Sequence, residues 1–277
     1  MIESGSARIA AYDFGGDGPD LLLAHATGFH AHAWLPVVEH LRDRFHCYAF
    51  DERAHGHSTP PADGDYDWHR FADDALAVAD GFGLHRPCVA GHSCGGALVL
   101  LAEQARPGSF RALWCYEPVI FPTDEPPPPD TENPLSAGAR RRREVFPSLE
   151  AAYENFAAKP PMSRFDPAAL RAYVEHGFAP VEGADGEVRI LCRGADEAST
   201  YDAGLFHDAF PRLREVIPPV TLVCGEHTDA FGVDALRLDA ARLPHARLEV
   251  LPGLTHFGPF EDPAAIAASI ARAFEAA

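Results

Sequence analysis

Pro87-Cys88-Val89-Ala90-Gly91-His92-Ser93-Cys94-Gly95-Gly96-Ala97-Leu98-Val99-Leu100 is the stretch on which the reading of this chain turns. A short apolar run enters a pair of glycines set around a serine, and a stretch apolar nearly all round follows. The first part reads as a buried strand, the part from Ala97 as a helix packed under a sheet. Glycines at 91 and 95 let the turn between them tighten without Cβ clashes, so Ser93 points out of the sheet on a strained backbone. The N–H of Cys94, at the helix N-terminus, then faces any negative charge that develops beside Ser93, assisted by the helix dipole. The bland alternative is a glycine-rich helix start with a passive serine.

Outward from this point, short apolar runs alternate with longer amphipathic stretches, the pattern of a largely parallel sheet flanked by helices. Strands are expected at Arg8 to Phe14 (an edge strand), Leu21 to Ala24, Phe45 to Phe50, Arg111 to Tyr116, Val220 to Cys224 and Arg247 to Leu251. Helices are expected around Trp34 to Leu41, Trp68 to Gly81, Val233 to Leu243 and Pro263 to Phe274. The rhythm breaks at Phe121-Pro122, and Pro126-Pro127-Pro128-Pro129 reads as a stiff polyproline segment. From there to about Pro218 the patterns are mostly helical, with Ser148 as an N-cap, Asp166-Pro167 as a second helix start and Gly177 as a stop. The expected organisation is therefore a core of residues 1–121 and 218–277, with an inserted helical cap at 122–217.

The 277 residues suffice for one large α/β domain with an insertion, and 47% hydrophobic with 23% charged residues is ordinary for a globular enzyme. A net charge of −18 argues against nucleic acid and against anionic lipid surfaces, both of which call for a basic face. No apolar run is long enough to span a membrane, and the first residues lack a signal-peptide pattern, so a cytoplasmic address is expected. Cys47, Cys88, Cys115 and Cys224 lie in apolar runs and read as reduced core thiols, and no C-x-x-C pair suggests zinc or dithiol chemistry.

A serine hydroxyl needs a base, and a strand-end serine of this kind takes its partners in the chain order serine, acid, histidine. Among fifteen histidines, His256 follows the last strand and the turn Pro252-Gly253-Leu254-Thr255 and precedes the final helix. His55 and His57 read as turn or pocket residues. The acid is expected after the strand ending at Cys224, in Gly225-Glu226-His227-Thr228-Asp229. Asp229 is the first choice; Glu226 is the second, and Glu117 or Asp124, after the preceding strand, stay open. Its task is to fix the tautomer of His256 and stabilise the imidazolium. A second oxyanion donor is expected from His25-Ala26-Thr27-Gly28-Phe29: the amide of Thr27, with Gly28 next.

In these residues the chain resembles the α/β-hydrolase superfamily along almost its whole length. His25 to Phe29 resembles the family's H-G-x oxyanion loop, and Asp51-Glu52-Arg53-Ala54-His55-Gly56-His57-Ser58 its D-x-R-G-H-G-x-S loop. The turn Gly91 to Gly96, Gly225 to Asp229, and Gly253-Leu254-Thr255-His256 complete five matches in order. Ala26 and Ala54 replace customary glycines, and Asp229 lies one residue later than the usual G-x-x-D places it. Serine at the turn, rather than aspartate, points away from the haloalkane dehalogenase and epoxide hydrolase branches.

The resemblance implies a serine esterase working through Ser93, Asp229 and His256, with the amides of Thr27 and Cys94 as the oxyanion hole and no cofactor or metal. Its partner is a small-molecule substrate and its state a monomer or homodimer. Pocket candidates are Phe29, His92 and Trp34. The same triad would serve C–C bond hydrolysis of a β-diketone, lactone opening or perhydrolysis, and a ligand-binding receptor of the same fold is a distant alternative. The run Arg140 to Arg143 reads either as an anchor for a substrate anion or, more blandly, as a solvated helix face.

Overall fold

The computed structural model describes residues 1–125 and 127–275; Pro126 of the proline run lies outside them. Twelve strands occur among the described residues. β1 (Ile2–Ser4) and β2 (Ala7–Ile9) form an antiparallel ribbon. The central sheet contains β3 (Ala11–Gly15), β4 (Asp20–Ala24), β5 (His46–Phe50), β6 (Cys88–His92), β7 (Ala112–Tyr116), β11 (Val220–Gly225) and β12 (Ala246–Leu251), ordered β12-β11-β7-β6-β4-β5-β3. All its pairings are parallel except β3 with β5. The expected single edge strand Arg8 to Phe14 is thus two strands. It breaks at Ala10, whose N–H turns to Ser58 Oγ at 2.8 Å.

The central strands read as unbroken apolar runs because both faces are covered. Leu22 and Ala24 pack with Leu98 and Leu222 on one face, while Leu21 and Leu23 pack with Trp114, Val223 and Ile266 on the other. The helices of the core are α1 (Leu35–Glu39), α2 (Trp68–Gly81), α3 (Cys94–Ala105), α9 (Val233–Ala240), α10 (Gly258–Glu261) and α11 (Pro263–Glu275). α3 begins at Cys94, three residues before the apolar run that announced it.

Between β7 and β11 the chain forms α4 (Ser136–Arg140), α5 (Leu149–Ala157), α6 (Pro167–His176), α7 (Gly194–Ala203) and α8 (Ala209–Arg212). Ser148 caps α5 by accepting from Ala151 N at 3.1 Å, and Asp166 caps α6, as their positions suggest. The insertion is not purely helical. β8 (Val145–Phe146), β9 (Phe178–Pro180) and β10 (Val188–Ile190) form a small antiparallel sheet in the order β8-β10-β9. Strands of two or three residues are too short to show a period of two in sequence. Phe146, Phe165, Tyr173 and Phe178 of this segment pack onto Phe29 and Phe260 of the core. That aromatic contact fixes the insertion above the end of β6 and β4.

Among the described residues no helix is long and apolar enough to cross a membrane.

Candidate active site

The turn at Ser93 is as tight as its glycines require. Ser93 adopts φ 57° and ψ −115°, a left-handed conformation that costs a non-glycine residue about 1–2 kcal/mol. A Cβ on Gly91 would stand 2.4 Å from Gly95 O, and one on Gly95 would stand 2.5 Å from both Ala24 O and His25 O. Gly95 N–H donates to His25 O at 3.0 Å, which ties the turn to the loop after β4. Ser93 N–H donates to Tyr116 O at 2.9 Å, and Val119 N–H donates back to Ser93 O at 3.2 Å. The serine is thereby clamped between the ends of three neighbouring strands.

Ser93 Oγ lies 3.1 Å from His256 Nε2, so the hydroxyl can donate to the ring. The other ring nitrogen, Nδ1, donates to Glu117 Oε2 at 2.7 Å. Glu117 directly follows β7, is fully buried, and has φ 42°. Its Oε1 accepts from Gly225 N at 3.0 Å and its Oε2 also accepts from Thr228 Oγ1 at 2.7 Å. Donors to both oxygens satisfy a carboxylate that burial would otherwise penalise heavily.

Asp229, the acid expected from sequence, is not at this position. It is exposed, and no hydrogen bond joins it to His256 among the described residues. The loop after β11 turns at once, with Gly225 N and Thr228 Oγ1 donating to Glu117. Glu226 instead accepts from Gly253 N at 2.9 Å and holds the turn before His256. Asp124 is paired with Arg242 at 2.7 Å. The signal for Glu117 was a lone carboxylate set straight after an entirely buried strand.

The His256 loop is held from below. Tyr116 Oη donates to Thr255 O at 2.6 Å, and His92 Nε2 donates to the carbonyl of His256 at 2.8 Å. His92 is fully buried, so it braces the histidine loop rather than lining a pocket. Burial first, and the neighbouring His256 second, lower its pKa well below the usual range and keep it neutral. Trp34 is also removed from the pocket. It follows a single turn of tight helix and is buried with Leu21, Leu23 and Val37 on the core side of the sheet. Phe29 alone of the three pocket candidates faces the insertion, stacked on Phe260 with ring centroids 4.3 Å apart.

The expected oxyanion donors are available. Among the described residues the amides of Thr27 and Cys94 have no protein acceptor, whereas Phe29 N–H is already given to Ala26 O at 3.0 Å. Alanine at 26 is accommodated because the left-handed residue of this loop is Gly28, φ 84°. His25 fixes the loop, its Nδ1–H donating to Ala26 O at 2.8 Å while Nε2 accepts from Glu52 N at 2.9 Å. Glu52 is wholly buried beside the Cys94 thiol, and burial raises its pKa well above the usual carboxylate value. It is therefore uncharged beneath Cys94, where an anion would oppose a developing oxyanion. The Cys94 thiol is itself buried and kept protonated.

Of the arginine run, Arg142 departs from a solvated face. Its side chain is 18% exposed, pairs with Glu197 on α7, and donates from Nη2 to Tyr173 Oη at 3.1 Å. No group of three His, Cys, Asp or Glu side chains among the described residues is placed to hold a metal ion.

Comparison with known proteins accords with this fold. The family model described as alpha/beta hydrolase fold matches residues 19–263. The chain is 29% identical over 244 residues to a 2-(acetamidomethylene)succinate hydrolase of Mesorhizobium japonicum, covering 87% of this chain and 83% of that protein. It is 27% identical over 250 residues to a non-heme chloroperoxidase of Kitasatospora aureofaciens, covering 87% and 86%. A crystal structure of an E-2-(acetamidomethylene)succinate hydrolase superposes with a TM-score of 0.80 at 24% identity, covering 97% of this chain and 98% of that one.

Proposed function

Because the chain belongs to the alpha/beta-hydrolase fold family, we propose that it is a serine hydrolase that cleaves a carboxylic ester or amide through an acyl-enzyme. One observation carries the reading: a continuous line from Ser93 Oγ to His256 Nε2 at 3.1 Å and from His256 Nδ1 to buried Glu117 at 2.7 Å.

In this scheme His256 removes the hydroxyl proton as Ser93 Oγ attacks the acyl carbon. The charge that moves to the carbonyl oxygen is met by the amides of Cys94 and Thr27, already oriented and free of other acceptors. Glu117 holds the imidazole as its Nδ1–H tautomer and stabilises the cation. His256 then protonates the leaving alcohol or amine, and water repeats the cycle on the acyl-enzyme. The segment 122–217 serves as a cap, its aromatic residues closing one side of the site.

The names of its relatives supply the substrate classes to try. A hydrolase of an enamide and a chloroperoxidase share this fold, so amides, esters and perhydrolysis belong in one panel. The test is turnover of p-nitrophenyl acetate together with labelling by a fluorophosphonate. Ser93→Ala is expected to lose at least ~10³-fold in kcat and to take no label. Retention of full turnover by Ser93→Ala would overturn the scheme.

A further inference from the structure

Three elements converge beside the oxyanion loop on a polar cluster that the triad does not use. Arg142, just after α4, gives one N–H to Glu197 Oε2 and another to Tyr173 on α6. Glu197 has a side chain only 10% exposed, and its second oxygen, Oε1, has no hydrogen-bond partner among the described residues. That oxygen lies against Gly28: a Cβ built there would stand 2.6 Å from it, so only glycine admits Glu197 so close to the loop. Tyr201 lies one turn after Glu197 on the same face of α7, and its hydroxyl also has no partner among the described residues.

Within the cluster the charges pair, and the adjacent Asp196 is engaged by Tyr66 Oη at 2.5 Å. Arg142 offsets Glu197, and the nearby His25 and His55 are held neutral by burial. A substrate carboxylate or ammonium brought here would bury a net charge with no counter-charge, which is costly. What remains open is one acceptor, Glu197 Oε1, beside donors on Arg142 and Tyr201. A secondary amide satisfies both at once, giving its N–H to the acceptor and its carbonyl to a donor, with no net charge.

Resting on the serine-hydrolase reading, we propose that Glu197, Arg142 and Tyr201 form a subsite for a secondary amide in the substrate. Its N–H is given to Glu197 Oε1 and its carbonyl accepts from Arg142 or Tyr201. The chain thus selects amide-bearing acyl substrates over their ester or carboxylate isosteres. A site built to accept an N–H discriminates strongly against the analogue lacking it, because its buried acceptor is left unpaired.

The test holds the reacting group constant and varies the remote one. p-Nitrophenyl 3-acetamidopropanoate and 4-acetamidobutanoate are compared with the acetoxy analogues, in which oxygen replaces N–H, and with the mono-p-nitrophenyl esters of succinic and glutaric acid. The acetamido esters are expected to be favoured in kcat/KM by about 10- to 100-fold at one of the two lengths. The double variant Arg142→Met/Glu197→Leu removes both buried charges together and should bring that ratio to within about threefold of one. Arg142→Met/Glu197→Gln, which retains an acceptor oxygen, should restore part of it. Equal rates for the acetamido and acetoxy esters, a preference for the carboxylates, or a ratio unmoved in the double variant would each overturn the proposal. Absence of turnover on every ester together with no fluorophosphonate adduct would instead overturn the hydrolase reading on which it rests.

Discussion

Glu117 accepts from Gly225 N, Thr228 Oγ1 and His256 Nδ1 while holding φ at 42° and exposing no surface. A residue fixed so completely can set the tautomer of the imidazole, since only the Nδ1–H form can donate to it. Glutamine in its place would keep the shape but turn an N–H₂ or an uncharged oxygen toward His256. Glu117→Gln is therefore expected to lower kcat by about 10³- to 10⁴-fold with KM little changed. Asp229→Asn, on an exposed loop, should leave both constants within about twofold. Steady-state kinetics of the two variants decide between the carboxylates, and the reverse ranking would sink the assignment of Glu117. Sequence pattern favoured Asp229 because the loop after β11 is where a triad acid is usually sought. The serine and the histidine could be read from their neighbours in the chain. Glu117 stayed only an alternative to Asp229, because which carboxylate meets His256 depends on how two adjacent strand ends turn toward each other.

At the scale of elements, the strand–turn–helix around Ser93 was legible because steric exclusion leaves so few residues able to build it. Gly95 shows how strict the exclusion is. Its missing Cβ would meet two backbone carbonyls at 2.5 Å, and backbone cannot step aside as a side chain can. Gly95→Ala is expected to destabilise the fold by about 1–3 kcal/mol in urea titration. It should also cost activity, since relief of the clash must move the turn away from the loop after β4. Gly138→Ala, where a Cβ would meet nothing within 4 Å and the residue lies within α4, serves as the control and should be neutral or stabilising. A Gly95→Ala protein as stable and active as its parent would contradict this account of the turn. The inner parallel strands were equally plain, because burial on both faces writes them as apolar runs. β8, β9 and β10 were not, since two or three residues paired within an insertion carry no period. Trp34 and His92 were misplaced for a related reason. Both lie next to functional loops in sequence, but one side chain points into the core and the other under the histidine loop, a choice made by packing.

For the molecule as a whole, the histidines that brace the site also govern its response to acid. His25, His30, His55 and His92 are all buried, and burial is the chief cause that lowers the pKa of each. For His30 the value falls from 6.5 to about 4. Its Nε2 donates to Tyr173 O of α6 at 3.0 Å and joins the core to the insertion, while buried Nδ1 has no partner to receive a second proton. The unfolded chain takes up these protons near pH 6.5, whereas in the folded chain His30 resists until about pH 4 and the other three also take theirs up at lower pH. Stability should therefore be flat in this respect above neutrality and fall as the pH drops through that window, with a slope of about 1.4 kcal/mol per pH unit for each such histidine. Asp239 opposes them: burial raises its pKa to about 7, so the folded chain binds its proton more readily over part of the same range. Glu52, Asp74 and Glu103, raised by burial, oppose them too, but burial lowers seven histidines, His32, His176 and His207 included, so the net slope keeps the histidines' sign. Urea unfolding at pH 7.5, 6.0 and 5.0 measures this slope directly. In His30→Gln, whose amide can still donate to Tyr173 O without gaining a proton, the slope should lessen by about one proton. An unchanged slope in that variant would show that His30 does not drive the acid response, and a stability that rose on acidification would show that the buried histidines as a set do not.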